Sequence, residues 1–298
     1  MTDAIRHALL GSDGKLRFIW RAVIFYVFGE YAVFPALEWV YELAAQTFGI
    51  RPDLNAANVG FGELRNFFTA LICTGLFALY ERRRVDSYGL QLDAVLKSPT
   101  FEGFAVGAVE AGLVALGMIA LGGMHVYGLA LRGTSLLIMP LAWLAASISV
   151  GLAEEFWFRA YFQQTLWKSI GFWPSSIVIA LIFASEHYFY KQGENIWDVI
   201  SIVAFSLLAS YSILRTGALW FAVGYHAAFD FMQLFVIGTP NGSAVPVGRL
   251  LDVAFTGPAW LTGGVLGTEA SFLDYPAIAL AWLFVWWRYR RNTAFVPE

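Results

Sequence analysis

Residues 136–166 read LLIMPLAWLAASISVGLAEEFWFRAYFQQTL, an apolar run that carries two adjacent glutamates and an arginine in its second half. A helix needs about 20 mostly apolar residues to span a bilayer. The run is longer than that, so we expect a spanning helix that tilts or extends beyond the bilayer. Glu154, Glu155 and Arg159 would lie inside it. Because charge is costly at that depth, such residues usually face a bundle interior or a wet cavity.

The rest of the 298-residue chain has the same apolar character, with 58% hydrophobic and 14% charged residues and a mean hydropathy of +0.61. Soluble domains usually carry about 25% charged residues. The composition therefore predicts an all-α, polytopic membrane protein that is surrounded by membrane lipid. A net charge of -3 gives no indication of a nucleic-acid partner. The single cysteine, Cys73, excludes an internal disulfide.

Eight apolar segments are candidate spans. We expect them at residues 18–45, 64–81, 101–122, 136–166, 173–190, 197–214, 217–237 and 274–288. If the eight alternate in direction, most Lys and Arg residues fall on one side, for example Arg82, Arg83 and Arg84 after the second span. The positive-inside rule then places both termini in the cytoplasm.

The longest connection on the opposite side is residues 238–273, which is rich in Gly and Pro. This composition favours an ordered, non-cytoplasmic loop or a re-entrant cap over another spanning helix. The sequence contains no internal repeat and no stretch typical of a soluble domain. We therefore expect one membrane domain over residues 1–298, with the core spans at residues 136–237.

Three of the core spans carry seven ionisable residues: Glu154, Glu155, Arg159, Glu186, His187, His226 and Asp230. Glu155 and Arg159 are four residues apart, so on a helix they share a face and can form an ion pair. Glu154 points about 100° away from Glu155 on a helix of 3.6 residues per turn and would stay available for chemistry. The alternative is that all three residues form a buried structural network that ties helices together.

The other two core spans bring histidines to the same depth. Glu154 and His187 lie almost equally far from Gly171, the centre of the hairpin between the fourth and fifth spans. With an equal rise per residue in both arms, they lie at one level. His226 and Asp230 share a face of the seventh span, which runs parallel to the fifth. The sequence therefore predicts one polar layer that carries Glu154, His187, His226 and Asp230.

Two chemistries fit this layer. In the first, Glu154 is a general base that activates water with the help of His187, while His226 and Asp230 orient the substrate or stabilise an oxyanion. In the second, the histidines and carboxylates bind Zn²⁺, which activates the water. The sequence contains no HExxH motif, so we expect no cofactor, with zinc as the less favoured alternative. P-loop, GxSxG and CxxC motifs are also absent from the sequence.

Three short motifs follow one another in the core spans: EEFWFR at 154–159, FASEH at 183–187 and HAAFD at 226–230. In order and spacing they resemble the EExxxR, FxxxH and HxxxN/D motifs of the CPBP intramembrane protease family. That family groups CAAX prenyl endopeptidases, bacteriocin-processing enzymes and Abi proteins, and the loop at 238–273 resembles its bacterial Abi-type members. The resemblance implies an α-helical protease of the bacterial cytoplasmic membrane.

The resemblance also implies roles for individual residues. Glu154 corresponds to the base and His187 to its partner in activating water. His226 and Asp230 correspond to the oxyanion side, with Glu155 and Arg159 supporting the site. Eukaryotic-type CAAX members usually have Asn at the last position, and an ionised Asp cannot donate a hydrogen bond there.

The expected function is hydrolysis of a peptide bond in a peptide or in the tail of a membrane-associated protein. The main alternative is a non-catalytic membrane scaffold or immunity-type protein that uses the same polar residues structurally. A proton-linked transporter is a weaker alternative, because the sequence shows no inverted repeats and no paired, broken spans.

Overall fold

The computed structural model describes residues 3–12 and 14–297. Its α-helices are α1 (Asp3–Leu9), α2 (Phe18–Phe28), α3 (Phe34–Phe48), α4 (Ala56–Glu81), α5 (Ser98–Ala120), α6 (Ser135–Trp157), α7 (Gln163–Ile170), α8 (Phe172–Tyr190), α9 (Ile196–Thr216), α10 (Trp220–Asp230), α11 (Ala259–Thr262) and α12 (Asp274–Tyr289). Its strands are β1 (Met124–Leu129) and β2 (Leu251–Phe255). Its π-helical segments are Gly29–Val33, Phe158–Phe162 and Phe231–Ile237. Its short 3₁₀ helices are Val85–Tyr88, Leu92–Ala94 and Thr268–Ala270.

The predicted all-α class is confirmed, with one pair of short strands that the sequence reading did not predict. Within the described residues, five helical stretches are long and apolar enough to cross a membrane: Phe18–Phe48, Ser98–Ala120, Ser135–Ile170, Ile196–Thr216 and Trp220–Ile237. The protein is therefore an integral membrane protein. The other three predicted spans correspond to α4, α8 and α12, which fall outside this set. The count of eight spans stays a prediction.

Four connections that were predicted to share the non-cytoplasmic side meet at one end of the bundle. The backbone N–H of Val247 donates to the carbonyl of Leu54, which precedes α4, at 2.8 Å. Lys191, which follows α8, forms an ion pair with Glu269. β1, between α5 and α6, pairs with β2, between α10 and α12. These contacts are those expected if the helices alternate in direction.

The opposite end gathers the remaining connections. The N–H of Leu219 donates to the carbonyl of Gly89 at 3.0 Å, and the N–H of Phe295 donates to the carbonyl of Leu214 at 2.8 Å. The rings of Trp167 and Phe295 pack with centroids 6.0 Å apart. The sequence places most of the basic residues at this end. That this end faces the cytoplasm stays a prediction from the positive-inside rule.

The helix α10 lies at the centre of the bundle, and every residue from Trp220 to Asp230 is buried. Glycines of the neighbouring helices make this possible. A Cβ on Gly107 of α5 would overlap the carbonyl oxygen of Tyr225, and a Cβ on Gly151 of α6 would lie 2.7 Å from the carbonyl oxygen of Val223. Small residues let membrane helices approach at backbone distance. Backbone packing thus sets the position of α10, which carries two of the predicted site residues.

A Gly107→Ala substitution is expected to destabilise the protein, because the new methyl group meets backbone that cannot rotate away. Overpacking typically costs about 1–3 kcal/mol, so the midpoint of thermal unfolding in detergent should fall. The matched control is Gly112→Ala on the same helix, where a Cβ meets nothing within 4 Å. Alanine favours helix over glycine, so this control should keep or raise the midpoint. Equal midpoints for the two variants would contradict the packing argument.

The segment 238–273, called the cap below, is ordered by pairing with the connection between α5 and α6. β1 and β2 run antiparallel, with Met124 opposite Phe255 and Leu129 opposite Leu251. The cap is also joined to the end of the central helical stretch, since the N–H of Leu250 donates to the carbonyl of Phe235 at 2.7 Å. The cap therefore lies next to the helices that carry the predicted polar layer.

Candidate active site

The predicted ion pair between Glu155 and Arg159 is confirmed. Both side chains are fully buried, and Arg159 Nη1 lies 3.0 Å from Glu155 Oε1. Arg159 Nη2 also donates to Ser206 Oγ of α9 at 2.7 Å, and the guanidinium lies over the ring of Phe183 of α8, 5.0 Å from its centroid. The pair therefore ties α6 and the following π-helical turn to α8 and α9.

His226 of α10 lies among three carboxylates. Its Nδ1 is 3.0 Å from Glu155 Oε1, and because the ion-paired carboxylate only accepts hydrogen bonds, Nδ1 is the donor. Its Nε2 lies 3.7 Å from Glu154 Oε2 and 3.8 Å from Asp230 Oδ2. The ring of Phe205 packs against the imidazole edge-on, with centroids 4.8 Å apart. His226 is thus held in one orientation with Nε2 between two further carboxylates.

Glu154 is the more exposed carboxylate of the adjacent pair. Its side chain is 22% exposed, compared with 0% for the side chain of Glu155. Within the described part of the chain, Glu154 Oε2 is buried and has no hydrogen-bond partner. Glu155 Oε2 also lacks a partner there, so the two glutamates differ in their exposure and in the bonds of Glu155 Oε1, and the availability of Glu154 for chemistry stays a prediction.

His187 of α8 lines the same cavity as His226 and Asp230. Its Nδ1 lies 2.9 Å from the carbonyl oxygen of Phe183, so Nδ1 is the donor and Nε2 of the neutral ring is available as an acceptor. Across the described residues, no hydrogen bond joins His187 to Glu154, and the histidine that approaches Glu154 is His226. Glu186, next to His187, accepts a hydrogen bond from Tyr26 of α2 at 2.7 Å instead.

Asp230 is held by residues that the sequence reading did not single out. Gln233 Nε2 donates to Asp230 Oδ1 at 3.3 Å. Thr268 of the cap donates to Gln233 Oε1 at 2.9 Å. The cavity is also lined by Glu269 of the cap, and by Glu110 and Asp274 of α5 and α12. The cap is thus connected to the site through Gln233, a contact between segments distant in sequence.

A fourth carboxylate near the site, Glu63 of α4, was also missed. Glu63 accepts a hydrogen bond from Asn66 at 3.0 Å and interacts electrostatically with Glu154, His226 and Asp230. The predicted second span began at residue 64 and left Glu63 just outside it. A carboxylate at the start of an otherwise apolar segment was the signal that could have identified it.

The predicted site residues do not form a compact set of metal ligands. Within the described residues, the one group of three or more His, Cys, Asp or Glu ligand atoms lying within 4.8 Å of one another is Glu194, Asp198 and Glu269. In the polar layer, His226 Nδ1 faces Glu155 and His187 Nδ1 faces a backbone carbonyl. A zinc centre needs three or four donors that converge on one point.

Part of the sequence resembles a known protein family. A family model described as type II CAAX prenyl endopeptidase Rce1-like matches residues 136–232. No curated protein matches the sequence. The matched residues run from α6 to the π-helical turn after α10, so they include the glutamate pair, both histidines and Asp230. Over this core, about a third of the chain, the sequence is similar to the type II CAAX prenyl endopeptidases that the family model describes.

Proposed function

We propose that the protein hydrolyses a peptide bond with a water activated by Glu154 and His187. Its substrate is a peptide or the tail of a membrane-associated protein. One observation carries the proposal. Of two adjacent glutamates, Glu155 is fully buried, with its Oε1 bonded to Arg159 and His226, whereas Glu154 is 22% exposed and no hydrogen bond to its Oε2 is found among the described residues. Intramembrane carboxylates usually face a bundle interior or a wet cavity, so a partly exposed one outside the ion pair is open to a water molecule.

In the proposed reaction, Glu154 accepts a proton from water while the water oxygen attacks the carbonyl carbon of the scissile bond. His187 Nε2, left available because Nδ1 donates to a backbone carbonyl, accepts the second water hydrogen and orients the molecule. The C–N bond then breaks, and the proton held by Glu154 passes to the leaving amine. The products are a carboxylic acid and an amine, and no cofactor takes part in this scheme.

We assign the stabilisation of the oxyanion to His226 and a positioning role to Asp230. An ionised aspartate accepts hydrogen bonds and cannot stabilise an oxyanion by donation. Asp230 accepts from Gln233 and faces His226 Nε2, so it orients the imidazole. Glu155 orients the same ring through Nδ1. A proton on Nε2 can then be donated to the oxygen that becomes negatively charged in the tetrahedral intermediate.

The rival function is a non-catalytic membrane scaffold or immunity-type protein. The link from Glu155 through Arg159 to Ser206 supports it, because this network joins helices without any need for chemistry. The partial exposure of Glu154 next to the buried ion pair favours the enzyme. We also propose that the protein resides in the bacterial cytoplasmic membrane with both termini in the cytoplasm, as the basic residues predict.

The function is tested by hydrolysis in H₂¹⁸O. Purified protein in detergent is incubated with a farnesylated CAAX-type peptide and with an unprenylated apolar peptide, and products are identified by mass spectrometry. A single turnover should place one ¹⁸O atom in the new carboxylate. The rate should be unchanged by a chelator that binds zinc selectively over calcium, because no zinc takes part in the proposed reaction. A preparation carrying both Glu154→Ala and His187→Ala serves as the blank for contaminating proteases.

Two results would overturn the proposal. Cleavage equal to that of the blank would leave the scaffold as the better function. Cleavage that the chelator abolishes and added Zn²⁺ restores would replace side-chain activation of water by the zinc mechanism.

A further inference from the structure

Three carboxylates from separate segments converge at the end of the bundle that carries the cap. Glu194 belongs to the connection after α8, Asp198 lies in the first turn of α9, and Glu269 belongs to the cap. One carboxylate oxygen of each residue lies within 4.8 Å of those of the other two. Ser201 Oγ also donates to the carbonyl oxygen of Glu269 at 2.8 Å, which fixes the cap backbone at this point.

The cluster contains a buried carboxylate without a hydrogen-bond donor among the described residues. Asp198 is 0% exposed, and neither of its carboxylate oxygens accepts a hydrogen bond from a donor among the described residues, although it lies within hydrogen-bonding reach of the Glu194 carboxylate. The side chain of Glu194 is 1% exposed, and both of its carboxylate oxygens also lack hydrogen-bond partners there. Buried polar groups are almost always satisfied, and buried carboxylates are normally paired or bound to a metal. The pair therefore indicates a ligand at this position.

Lys191, the lysine at the cluster, does not neutralise all three carboxylates. Lys191 forms an ion pair with Glu269 and lies 3.7 Å from Glu194 Oε1. Asp198 takes no part in this lysine's ion pairs and adjoins the Glu194 carboxylate. Three carboxylates face one ammonium group, so the cluster carries a surplus of negative charge when its carboxylates are ionised.

We propose that Glu194, Asp198 and Glu269 bind a calcium ion. The three ligands offer oxygen atoms alone, which suits a hard cation and not zinc or copper. The three carboxylate oxygens lie within 4.8 Å of one another, close enough to share one ion. Magnesium usually keeps several waters and is bound through one or two carboxylates, so three carboxylates from three segments favour calcium.

A calcium ion here would fasten the cap to the helices of the active site. Glu269 lines the cavity that His187 and His226 share, and its Oε2 lies 3.5 Å from Gln233 Nε2, which in turn donates to Asp230. The ion would thus stabilise the cap side of the cavity without contacting the reacting atoms. The positive-inside rule places this end on the non-cytoplasmic side, where calcium sites commonly have dissociation constants of about 10⁻⁴–10⁻³ M.

The site is tested by terbium luminescence on the full-length protein in detergent. Tb³⁺ replaces Ca²⁺ in oxygen sites and is sensitised by nearby aromatic rings. Trp197 precedes Asp198 in the chain, and the hydroxyl of Tyr275 donates to the backbone carbonyl of Trp197 at 2.7 Å. The emission should saturate and be displaced by millimolar Ca²⁺, with Mg²⁺ less effective. Asp198→Asn should weaken Ca²⁺ competition at least about tenfold, as expected when one charged ligand is lost.

Two further variants keep the test independent of folding and of catalysis. Glu194→Gln removes a second ligand and should also weaken binding, whereas Asp252→Asn, an exposed acidic residue of β2, should leave binding unchanged. Glu154→Gln should retain Ca²⁺ binding whatever its peptidase activity. The proposal is overturned if the wild type shows no saturable emission, as expected if Glu194 and Asp198 share only a proton. It is also overturned if both ligand variants bind as the wild type does.

Discussion

Replacing Glu154 by glutamine is expected to reduce kcat/KM for peptide hydrolysis by about 10²–10⁴-fold, the range that a positioned general base contributes. Glutamine has nearly the shape of glutamate and cannot take a proton from water. Because Glu154 Oε2 makes no hydrogen bond among the described residues, the substitution removes no hydrogen bond to this oxygen and weakens only its 3.7 Å electrostatic contact with His226 Nε2. The midpoint of thermal unfolding should therefore stay close to that of the wild type. Initial rates with a fluorogenic peptide, measured beside the unfolding midpoint, separate the two effects.

Two carboxylates serve as comparisons for Glu154→Gln. Glu186 lies outside the polar layer and accepts a hydrogen bond from Tyr26. The Glu186→Gln variant should therefore keep the wild-type rate of peptide hydrolysis. Glu63→Gln distinguishes the predicted base from the carboxylate that interacts with it electrostatically. If Glu63→Gln abolishes hydrolysis while Glu154→Gln retains it, the role of general base belongs to Glu63.

The topology was the part of the fold that the sequence predicted best. The positions of lysine and arginine divide the connections into two groups, and the members of each group contact one another in the structure, as Lys191 and Glu269 do. That division needs only the rule that basic residues stay on one side. The number of spans was less predictable. Of the segments predicted as spans, α12 has 16 residues, and length and composition alone do not decide whether it crosses the membrane.

The prediction that Glu154 and His187 lie at one depth assumed the same helical rise on both sides of Gly171. That assumption is wrong for the arm that carries Glu154. Equal rise on both sides of Gly171 requires regular helix, but the arm from Glu154 passes through the π-helical segment Phe158–Phe162. There Ala160 has φ −79° and ψ −106°, which lies outside the helical region. Nothing in the local sequence, such as a proline, marks this kink. The four predicted residues still gather, but around His226 and not as a direct pair of Glu154 with His187.

The residues that were missed act through contacts between distant segments. Thr268 of the cap donates to Gln233, which donates to Asp230 three residues before it in the chain, and Glu269 joins the cavity from the cap. Spacing along one helix predicts which side chains share a face, as it did for Glu155 with Arg159 and for His226 with Asp230. It contains no information about a loop that folds back over the helix ends, because that depends on the tertiary structure.

An Arg159→Met substitution is expected to destabilise the protein by about 3–5 kcal/mol, the usual cost of breaking a buried ion pair by removing one partner. Glu155 and Arg159 are both completely buried, so the carboxylate that remains has no water to solvate it. The variant also removes the bond to Ser206 of α9. The unfolding midpoint in detergent should therefore fall well below that of Gly107→Ala.

A second substitution separates stability from catalysis in this variant. Glu155→Gln combined with Arg159→Met removes the unpaired charge, so the double variant should recover part of the lost stability, a coupling that a double-mutant cycle measures. Peptidase activity should not recover in parallel, because a neutral amide holds His226 Nδ1–H less firmly than the carboxylate that now lies 3.0 Å from it. A double variant with wild-type activity would show that Glu155 and Arg159 serve only to pack the helices. Activity that stays low at a restored midpoint would mean that the pair positions His226 for the reaction.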